Sequence, residues 1–457
     1  MKRKRISESG TGTVLIGYRW GVACIAALLL IIAGVIAYVS NSESVIQQRS
    51  VSSGDMYSFS FLTQENESAG TDGEGVKDSA VRPIVDSDEV YYSDLFFDQP
   101  NSEYNHELAR ASLALSMTAF KKSHVVSFME ELGYENIVPY RYGQTGDEDK
   151  VALVLAHKLV DGEPVIAIAI RGGKYGDEWG SNGRVGYDGE SFGYHYGFHE
   201  AARDAVVQLK EYAVDNDLDL SKSMVWITGF SRGAAVANVM GEMLTDQAAG
   251  YAGAAVDSDS GNLVTISPEK LFCYTFASPN TVSEDLVTEK AIRGIYNIVN
   301  PLDIVTRLPM NAGGISETAK GKRIKYNWNY TKYGVTLNLP TESESVQLQV
   351  VQLLENALAF ATRNELQYVE RTQDQVIIPA LKKTMGKGAD VSKRNIGYVL
   401  VDSLPGVTTF LKNEVNQLDL RAQIYVAGIL SGKKSLRLEK EHWPETYWGW
   451  MVKVDGI

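Results

Sequence analysis

Apolar residues first cluster near the N-terminus of the chain. The segment 20–39 contains no charged residue, and its twenty positions are enough, at helical rise, to cross about 30 Å of hydrocarbon. Basic residues precede this segment and an acid-rich stretch follows it, as the positive-inside rule requires for a cytoplasmic N-terminus. The pattern predicts a cytoplasmic basic tail over 1–19, a transmembrane helix over 20–39, and a single-pass protein of the cell membrane with the remainder extracytoplasmic. The alternative is a cleaved signal peptide, whose apolar core is usually about 7–15 residues long.

Polar and acidic residues dominate the next stretch, 40–85. Ser, Gly, Asp and Glu outnumber the scattered apolar residues, which are too few to offset the entropy lost when a chain becomes ordered. We therefore predict a disordered tether over 40–85 and a folded domain over 86–457.

A helical pattern opens the predicted domain near Tyr104. Apolar residues recur there at a spacing of three to four, at Leu108, Ala109, Leu113, Ala114 and Met117. Two apolar runs of strand length follow, over 151–159 and 164–170. Asp161 and Gly162 lie between them and favour a tight hairpin turn.

Strands then alternate with helices. The predicted helices cover 198–214 and 232–244, and the predicted strands cover 224–228, 271–277 and 292–299. This alternation is typical of a mostly parallel sheet that helices cover on both faces. The fold class is therefore predicted to be α/β.

The section from about 313 to 440 has a mainly helical pattern. Thr341 and Glu344 have the spacing of a capping box ahead of an apolar run through Phe360. We interpret the section as a helical insertion, which is either a mobile lid or a set of ordinary helices packed on the sheet.

Charge and metal-ligating residues narrow the possible partners. The net charge of −13 argues against nucleic acid, which requires clusters of Lys and Arg. Cys24 and Cys273 lie in separate apolar runs and build neither a disulfide framework nor a cysteine-based zinc site. His195 and His199 have the spacing of two zinc ligands on one helix face, but no H-E-x-x-H motif surrounds them, which favours a structural role.

A candidate nucleophile lies between a predicted strand and a predicted helix. The pentapeptide Gly229-Phe230-Ser231-Arg232-Gly233 matches G-x-S-x-G, the sharp turn that exposes a serine hydroxyl at the top of an α/β-hydrolase sheet. The flanking glycines allow strand and helix to approach closely. The alternative is a glycine-rich turn with an incidental serine.

A serine hydroxyl requires a base and a group that orients the base. His442 is the only histidine after Ser231, so the expected chain order of serine, acid and histidine leaves no other candidate for the base. Asp303 follows the apolar run that ends at Val299, which is the position expected for the acid; the alternative is an aspartate that caps a turn. Weaker candidates for the acid are Asp257, Asp259 and Glu284.

The oxyanion of an acyl-transfer intermediate requires two backbone N–H donors. Arg232 follows the nucleophile and supplies the first. The residues from Ile170 to Gly173 end an apolar strand, and their glycines are suited to turning a second N–H towards Ser231.

Several short motifs together resemble the class-three lipase family. The likeness covers roughly 151–309 and His442. The motifs are Arg171-Gly172-Gly173 with Trp179 and Asn182, His195-x-Gly197-Phe198, the Ser231 turn, Phe276-Ala277-Ser278-Pro279, and Asn300-x-x-Asp303-x-Val305 with Leu308-Pro309. The resemblance implies an α/β-hydrolase fold, hydrolysis of carboxylic esters, no metal or organic cofactor, and Gly173 as an oxyanion-hole residue.

The chain differs from the family pattern at two places. The family usually has Ser or Thr where Gly173 stands, so only a backbone donor is expected there. The family also commonly has His before and Leu after the nucleophile, where this chain has Phe230 and Arg232.

The sequence therefore predicts a membrane-anchored, extracytoplasmic serine hydrolase. Ser231, Asp303 and His442 would form its catalytic triad, and an ester or lipid would be its substrate. One alternative is a catalytically silent hydrolase-like domain that binds an envelope ligand or partner. The other is the same triad acting on thioester or amide bonds.

Overall fold

The structure is a computed structural model, and the residues it describes all belong to the second of two compact units, 1–50 and 51–457. The described residues are 54–63, 85–143, 150–173, 182, 193–245, 266–287, 294–309, 312–317, 323–328, 330–341, 346–365, 414–424 and 438–457. The predicted basic tail and transmembrane helix lie outside these ranges. Among the helices within them, none combines the length and the apolar character that crossing a bilayer requires.

Strands and helices alternate along the central part of the described chain. The strands are β1 Asp55–Leu62, β2 Val85–Tyr92, β3 Glu135–Tyr140, β4 Leu153–Val160, β5 Glu163–Ile170, β6 Met224–Phe230, β7 Leu271–Phe276, β8 Val282–Ser283, β9 Ile295–Val299, β10 Ala312–Glu317, β11 Arg323–Trp328, β12 Tyr330–Thr331 and β13 Val335–Asn338. The α-helices are α1 His106–Thr118, α2 Lys122–Glu131, α3 Tyr196–Asp215, α4 Arg232–Thr245, α5 Val346–Glu365 and α6 Pro444–Lys453. Short 3₁₀ helices cover Asp94–Asp98, Pro268–Lys270, Glu284–Leu286, Ile304–Arg307, Val415–Gln417 and Leu438–His442.

Within the described residues, seven strands form the central sheet in the order β13-β9-β7-β6-β5-β4-β3. Neighbouring strands are parallel from β13 to β5, whereas β4 and β3 continue the sheet antiparallel. This arrangement confirms the predicted α/β-hydrolase fold with a mostly parallel central sheet. The hairpin between β4 and β5 also has the predicted turn, because Asp161 and Gly162 both have positive φ.

The central strands are apolar on both faces because helices cover both. In β6, Trp226 packs with α1, α2 and the β1–β2 hairpin, while its neighbours Val225 and Ile227 face α3 and α4. Trp226 is fully buried and its indole N–H donates to Ser112 Oγ in α1 at 2.8 Å. Burial of each such large side chain stabilises the fold by about 1.5–3 kcal/mol.

The prediction of a disordered tether over 40–85 is wrong for the residues of β1, Asp55–Leu62. β1 pairs antiparallel with β2 along its whole length and therefore belongs to the folded domain. Phe59 and Phe61 are buried, and the ring of Phe59 meets Trp448 of α6 edge to face at 5.0 Å. These aromatics alternate with serines, which is the period-two pattern of a strand with one buried face. The prediction of disorder followed the polar composition of the whole segment and overlooked this short pattern.

The predicted helical insertion over about 313–440 is also corrected. Strands β10 to β13 fall at its start, and β13 pairs parallel with β9 to extend the central sheet. Helix α5 agrees with the apolar run predicted to be helical. Residues 366–413 and 425–437 lie outside the described residues, and so does Glu344 of the predicted capping box.

Candidate active site

Ser231 occupies the sharp turn between β6 and α4. Its φ of 54° lies in the left-handed region, which costs an L-residue other than glycine about 1–2 kcal/mol. Hydrogen bonds hold the strained turn on both sides: Ser231 N donates to Phe276 O at 2.9 Å, and Ala235 N donates to Ser231 O at 3.0 Å. Backbone strain that is over-determined in this way is typical of functional positions.

The glycines two positions either side of Ser231 are required by close backbone contacts. A Cβ on Gly229 would lie 2.4 Å from the carbonyl carbon of Gly233, and a Cβ on Gly233 would lie 2.4 Å from Ile170 O. Both distances are far below van der Waals contact. Only glycine allows α4 to start directly against β5 and β6, which fixes where Ser231 points.

Three side chains predicted to act together form a continuous hydrogen-bonded line. His442 Nε2 lies 2.9 Å from Ser231 Oγ, and His442 Nδ1 lies 2.7 Å from Asp303 Oδ2. Since a carboxylate only accepts, the ring proton is placed on Nδ1, which donates to Asp303. Nε2 then accepts from the Ser231 hydroxyl, the orientation that a general base requires.

Asp303 is fully buried at the end of the loop that follows β9. Its Oδ1 accepts the backbone N–H of Val305 at 2.9 Å, while Oδ2 accepts from both His442 and Tyr447. Three donors therefore satisfy the buried carboxylate, and they hold it in one orientation beside the imidazole.

Tyr447 contacts the proposed acid, and the sequence pattern did not predict this contact. Its hydroxyl donates to Asp303 Oδ2 at 2.8 Å and accepts the backbone N–H of Asn300 at 3.0 Å. Burial, followed by the negative charge of Asp303, raises the pKa of Tyr447 well above its usual value, so the hydroxyl stays a neutral donor. The Phe230 ring contacts both this ring and the His442 ring, at centroid distances of 5.4 and 5.6 Å.

Asn300 attaches the histidine segment to the acid loop. Its side-chain Nδ2 donates to Glu441 O at 3.1 Å and to Glu441 Oε2 at 2.9 Å, so the residue that precedes His442 is held directly. Burial raises the pKa of Glu441 from its ordinary value. Asn300 belongs to the N-x-x-D motif, and its contacts give that motif a structural role.

A buried lysine braces the same loop from the other side. Lys332 Nζ donates to Asn280 Oδ1 and to Thr306 O, both at 2.7 Å, and Thr306 Oγ1 donates to Asp303 O at 2.8 Å. Burial lowers the pKa of Lys332 to about 7, although the charge of Asp303 acts in the opposite direction.

The two predicted oxyanion-hole residues lie at neighbouring ends of β5 and α4. Arg232 is the first residue of α4, where backbone N–H groups point out of the helix and carry its positive dipole end. Gly173 ends the segment that follows β5, and a Cβ on the preceding Gly172 would lie 3.1 Å from Phe230 O. The backbone leading to Gly173 therefore runs directly beside the turn that carries Ser231.

The side chain of Arg232 is buried and turned away from Ser231. It donates to Asn182 Oδ1 at 2.8 Å and to Lys150 O at 3.3 Å, and its guanidinium lies 5.8 Å from the ring centre of Phe198. An arginine after the nucleophile thus fills the position that is commonly leucine in the family, and it ties α4 to two other segments.

His195 belongs to the same buried cluster. Its Nε2 lies 3.2 Å from Asn182 O and its ring stacks on Phe198, while His199 contacts Glu200 instead. Burial, then the charge of Arg232, lowers the pKa of His195 to about 3, so this imidazole is neutral. Across the described ranges, His, Cys, Asp and Glu side chains form no group of three or more that is placed to hold a metal ion.

The central segment of the chain matches the sequence model of a known family. The sequence model of the lipase (class 3) family matches residues 167–312, which include Gly173, Ser231 and Asp303. This match confirms the predicted resemblance to class-three lipases and the predicted serine carboxylic-ester hydrolase. No curated protein matches the chain.

Solved structures similar to this chain include fungal lipases. A Rhizomucor miehei lipase propeptide complex is 18% identical to this chain, with a TM-score of 0.32, and the match covers 54% of this chain and 74% of the lipase chain. A Yarrowia lipolytica lipase is 14% identical, covers 52% and 79%, and has a TM-score of 0.33. A Rhizopus microsporus var. chinensis lipase is 16% identical, covers 50% and 78%, and has a TM-score of 0.30.

Proposed function

We infer that this serine hydrolase of the class 3 lipase family cleaves carboxylic esters on the outer side of a membrane to which its N-terminal segment anchors it. The observation that carries the chemistry is the hydrogen-bonded line from Ser231 through His442 to Asp303, with distances of 2.9 and 2.7 Å. The family match covers the nucleophile and the acid.

The first half of the proposed reaction forms an acyl-enzyme. His442 Nε2 takes the proton of the Ser231 hydroxyl as Oγ attacks the ester carbonyl carbon, and Asp303 stabilises the imidazolium. The carbonyl oxygen becomes an oxyanion that accepts hydrogen bonds from the backbone N–H groups of Gly173 and Arg232. The tetrahedral intermediate then collapses, and His442 returns the proton to the leaving alkoxide, which departs as an alcohol.

The second half regenerates the enzyme with water. His442 takes a proton from water as its oxygen attacks the acyl carbon, and the second tetrahedral intermediate uses the same two N–H donors. When it collapses, Ser231 Oγ regains its proton from His442 and the carboxylic acid is released. After the second half-reaction Ser231, His442 and Asp303 are back in their starting states.

Membrane anchoring is proposed from the N-terminal sequence. The uncharged segment 20–39 has the length of a transmembrane helix, and the basic residues before it favour a cytoplasmic N-terminus. An enzyme held in this way meets membrane lipids at high effective concentration, so we propose that its natural substrate is a lipid ester.

A substrate panel tests the chemistry. The full chain in detergent is offered p-nitrophenyl esters of short and long acyl chains, the matching thioester and the matching anilide. We expect ester hydrolysis that disappears in Ser231→Ala while the variant keeps the wild-type circular dichroism spectrum. Turnover of the anilide but not of the esters would contradict the proposal, as would ester cleavage that survives in Ser231→Ala. Protease added to intact cells tests the orientation: digestion of 86–457 is expected, and its protection would contradict the extracytoplasmic placement.

A further inference from the structure

Helix α6 carries two adjacent aromatic residues that contact different parts of the protein. Tyr447 reaches the acid loop through Asp303 and Asn300, and Trp448 packs against the β1–β2 hairpin. The hairpin lies outside the segment 167–312 that matches the lipase family. A single short helix therefore connects the N-terminal end of the folded domain to the proposed catalytic acid.

Trp448 is held by contacts with three different neighbours. Its indole N–H donates to Asp88 Oδ2 of β2 at 2.7 Å, and Phe59 of β1 meets its ring edge to face at 5.0 Å. The guanidinium of Arg110 in α1 lies 6.0 Å from its ring centre. Trp448 is only 6% exposed, so these contacts fix both its position and its ring plane.

Asp88 is well suited to fixing an indole because its carboxylate is itself held in place. Its second oxygen, Oδ1, accepts the backbone N–H of Glu89 at 2.8 Å, which leaves Oδ2 directed at Trp448. A hydrogen bond to a charged acceptor is shorter and stronger than one between neutral groups.

The far end of α6 is held by α1. The His106 ring nitrogen Nε2 lies 3.0 Å from Met451 O in the last turn of α6, and Tyr104 OH lies 3.0 Å from the other ring nitrogen. Helix α6 thus rests against α1 along its length, and the hairpin closes over the residue next to Tyr447. Because Tyr447 and Trp448 are consecutive residues of α6, the contacts of Trp448 also restrict where Tyr447 lies relative to Asp303.

We propose that the β1–β2 hairpin is a positioning element of the active site: through Asp88 and Phe59 it holds Trp448, and it thereby keeps Tyr447 on Asp303 and His442 aligned with Ser231. The inference rests on the proposed function, because positioning has a measurable consequence only if Ser231 is the nucleophile. Asp88, Phe59 and Trp448 are positioning residues and touch no reacting atom.

The chain offers a matched control for Asp88. Asp86 lies two residues earlier on β2, is exposed like Asp88, and accepts the backbone N–H of its own neighbour Ser87 at 2.9 Å. Asp86→Ala and Asp88→Ala therefore remove the same charge and the same kind of local hydrogen bond. Only Asp88→Ala also removes the bond to Trp448.

The test is the rate at which a fluorophosphonate labels Ser231 in the full chain, measured over a range of probe concentrations. For Asp88→Ala we expect the maximal labelling rate to fall by about threefold to tenfold with an unchanged half-saturating concentration, because the nucleophile is less well aligned and the probe site is untouched. Asp86→Ala is expected to match the wild type. Asp88→Asn keeps one acceptor oxygen and should restore part of the loss.

A double-mutant cycle shows whether the effect passes through the indole. Trp448→Phe keeps a ring and removes the N–H donor, so Asp88→Ala should cause no further loss in that background. Equal effects of Asp88→Ala in both backgrounds would overturn the proposal. A lowered melting temperature of Asp88→Ala with an unchanged labelling rate would also overturn it, since the hairpin would then act on stability alone.

The outcome for the wild type separates this inference from the proposed function. If the wild type is labelled and Asp88→Ala is labelled at the same rate, the positioning role of the hairpin is overturned and the proposed serine hydrolase activity still stands. A folded wild type that is not labelled overturns the proposed function, and the positioning role fails with it.

Discussion

Replacing Tyr447 by phenylalanine removes one hydroxyl and two buried hydrogen bonds. The ring and its edge-to-face contact with Phe230 remain, because phenylalanine has the same shape. Asp303 Oδ2 keeps His442 as its donor but loses the tyrosine hydroxyl at 2.8 Å, and the backbone N–H of Asn300 loses its acceptor at 3.0 Å.

The size of the effect follows from the burial of these groups. A hydrogen bond to a charged acceptor contributes about 1.5–3 kcal/mol, and a buried N–H left without a partner costs about 1–3 kcal/mol. Tyr447 is fully buried, so water does not replace the lost hydroxyl. We expect the free energy of unfolding to fall by roughly 3 kcal/mol. If about half of the hydrogen bond to Asp303 also stabilises the transition state, about 0.75–1.5 kcal/mol is lost there and the labelling rate of Ser231 falls by about fourfold to twelvefold.

Urea unfolding and fluorophosphonate labelling of Tyr447→Phe measure the two effects separately. Tyr212→Phe is a matched control, since Tyr212 is buried in α3 and its hydroxyl donates to Asn136 O at 3.0 Å and lies 2.7 Å from His157 Nδ1, away from the active site. The control is expected to lose stability and to keep the wild-type labelling rate. A labelling rate of Tyr447→Phe within twofold of the wild type would refute the role assigned to this hydroxyl.

Two further predictions test the backbone of the turn and the buried lysine. Gly233→Ala would place a Cβ 2.4 Å from Ile170 O, so we expect this variant to have a free energy of unfolding lower by more than about 2 kcal/mol and to take no label. Gly449→Ala is the control and should be tolerated, because its Cβ would meet nothing within 4 Å. Urea unfolding of both variants measures the difference. Burial lowers the pKa of Lys332 to about 7 from 10.5, so between these pH values the unfolded chain binds a proton that the folded protein does not. The free energy of unfolding of the wild type, relative to Lys332→Met, should therefore rise with pH from 7 to 10 by up to about 1.4 kcal/mol per pH unit, and a difference that is independent of pH would contradict this.

The central strands and the three aligned side chains could be predicted because their signals are local. The G-x-S-x-G motif marks where a strand ends and a helix begins. Since His442 is the only histidine after Ser231, it is the only candidate for the base that the expected chain order allows. Asp303 lies shortly after the apolar strand that ends at Val299, and this position predicts that it lies near the carboxyl edge of the sheet.

The features that were missed depend on contacts between distant parts of the chain. The contact of Tyr447 with the acid could not be predicted, because no spacing rule connects a hydroxyl in a C-terminal helix to the acid 144 residues earlier. The β1 strand could not be predicted because its two phenylalanines lie in a polar segment and become a buried face only when they pack against residues of α2 and α6. Strands β10 to β13 have short or mixed patterns, and pairing with β9 decides the structure of β13 where local propensity does not.

The most direct test of the account is fluorophosphonate labelling of the purified full chain, followed by mass spectrometry of the labelled peptide. The account predicts a phosphonyl adduct on Ser231 in the wild type and in His199→Ala, and no adduct in Ser231→Ala or His442→Ala. An adduct that persists in either of the last two variants, or a folded wild type that takes no label, would contradict the claim that Ser231, His442 and Asp303 act together as the catalytic centre.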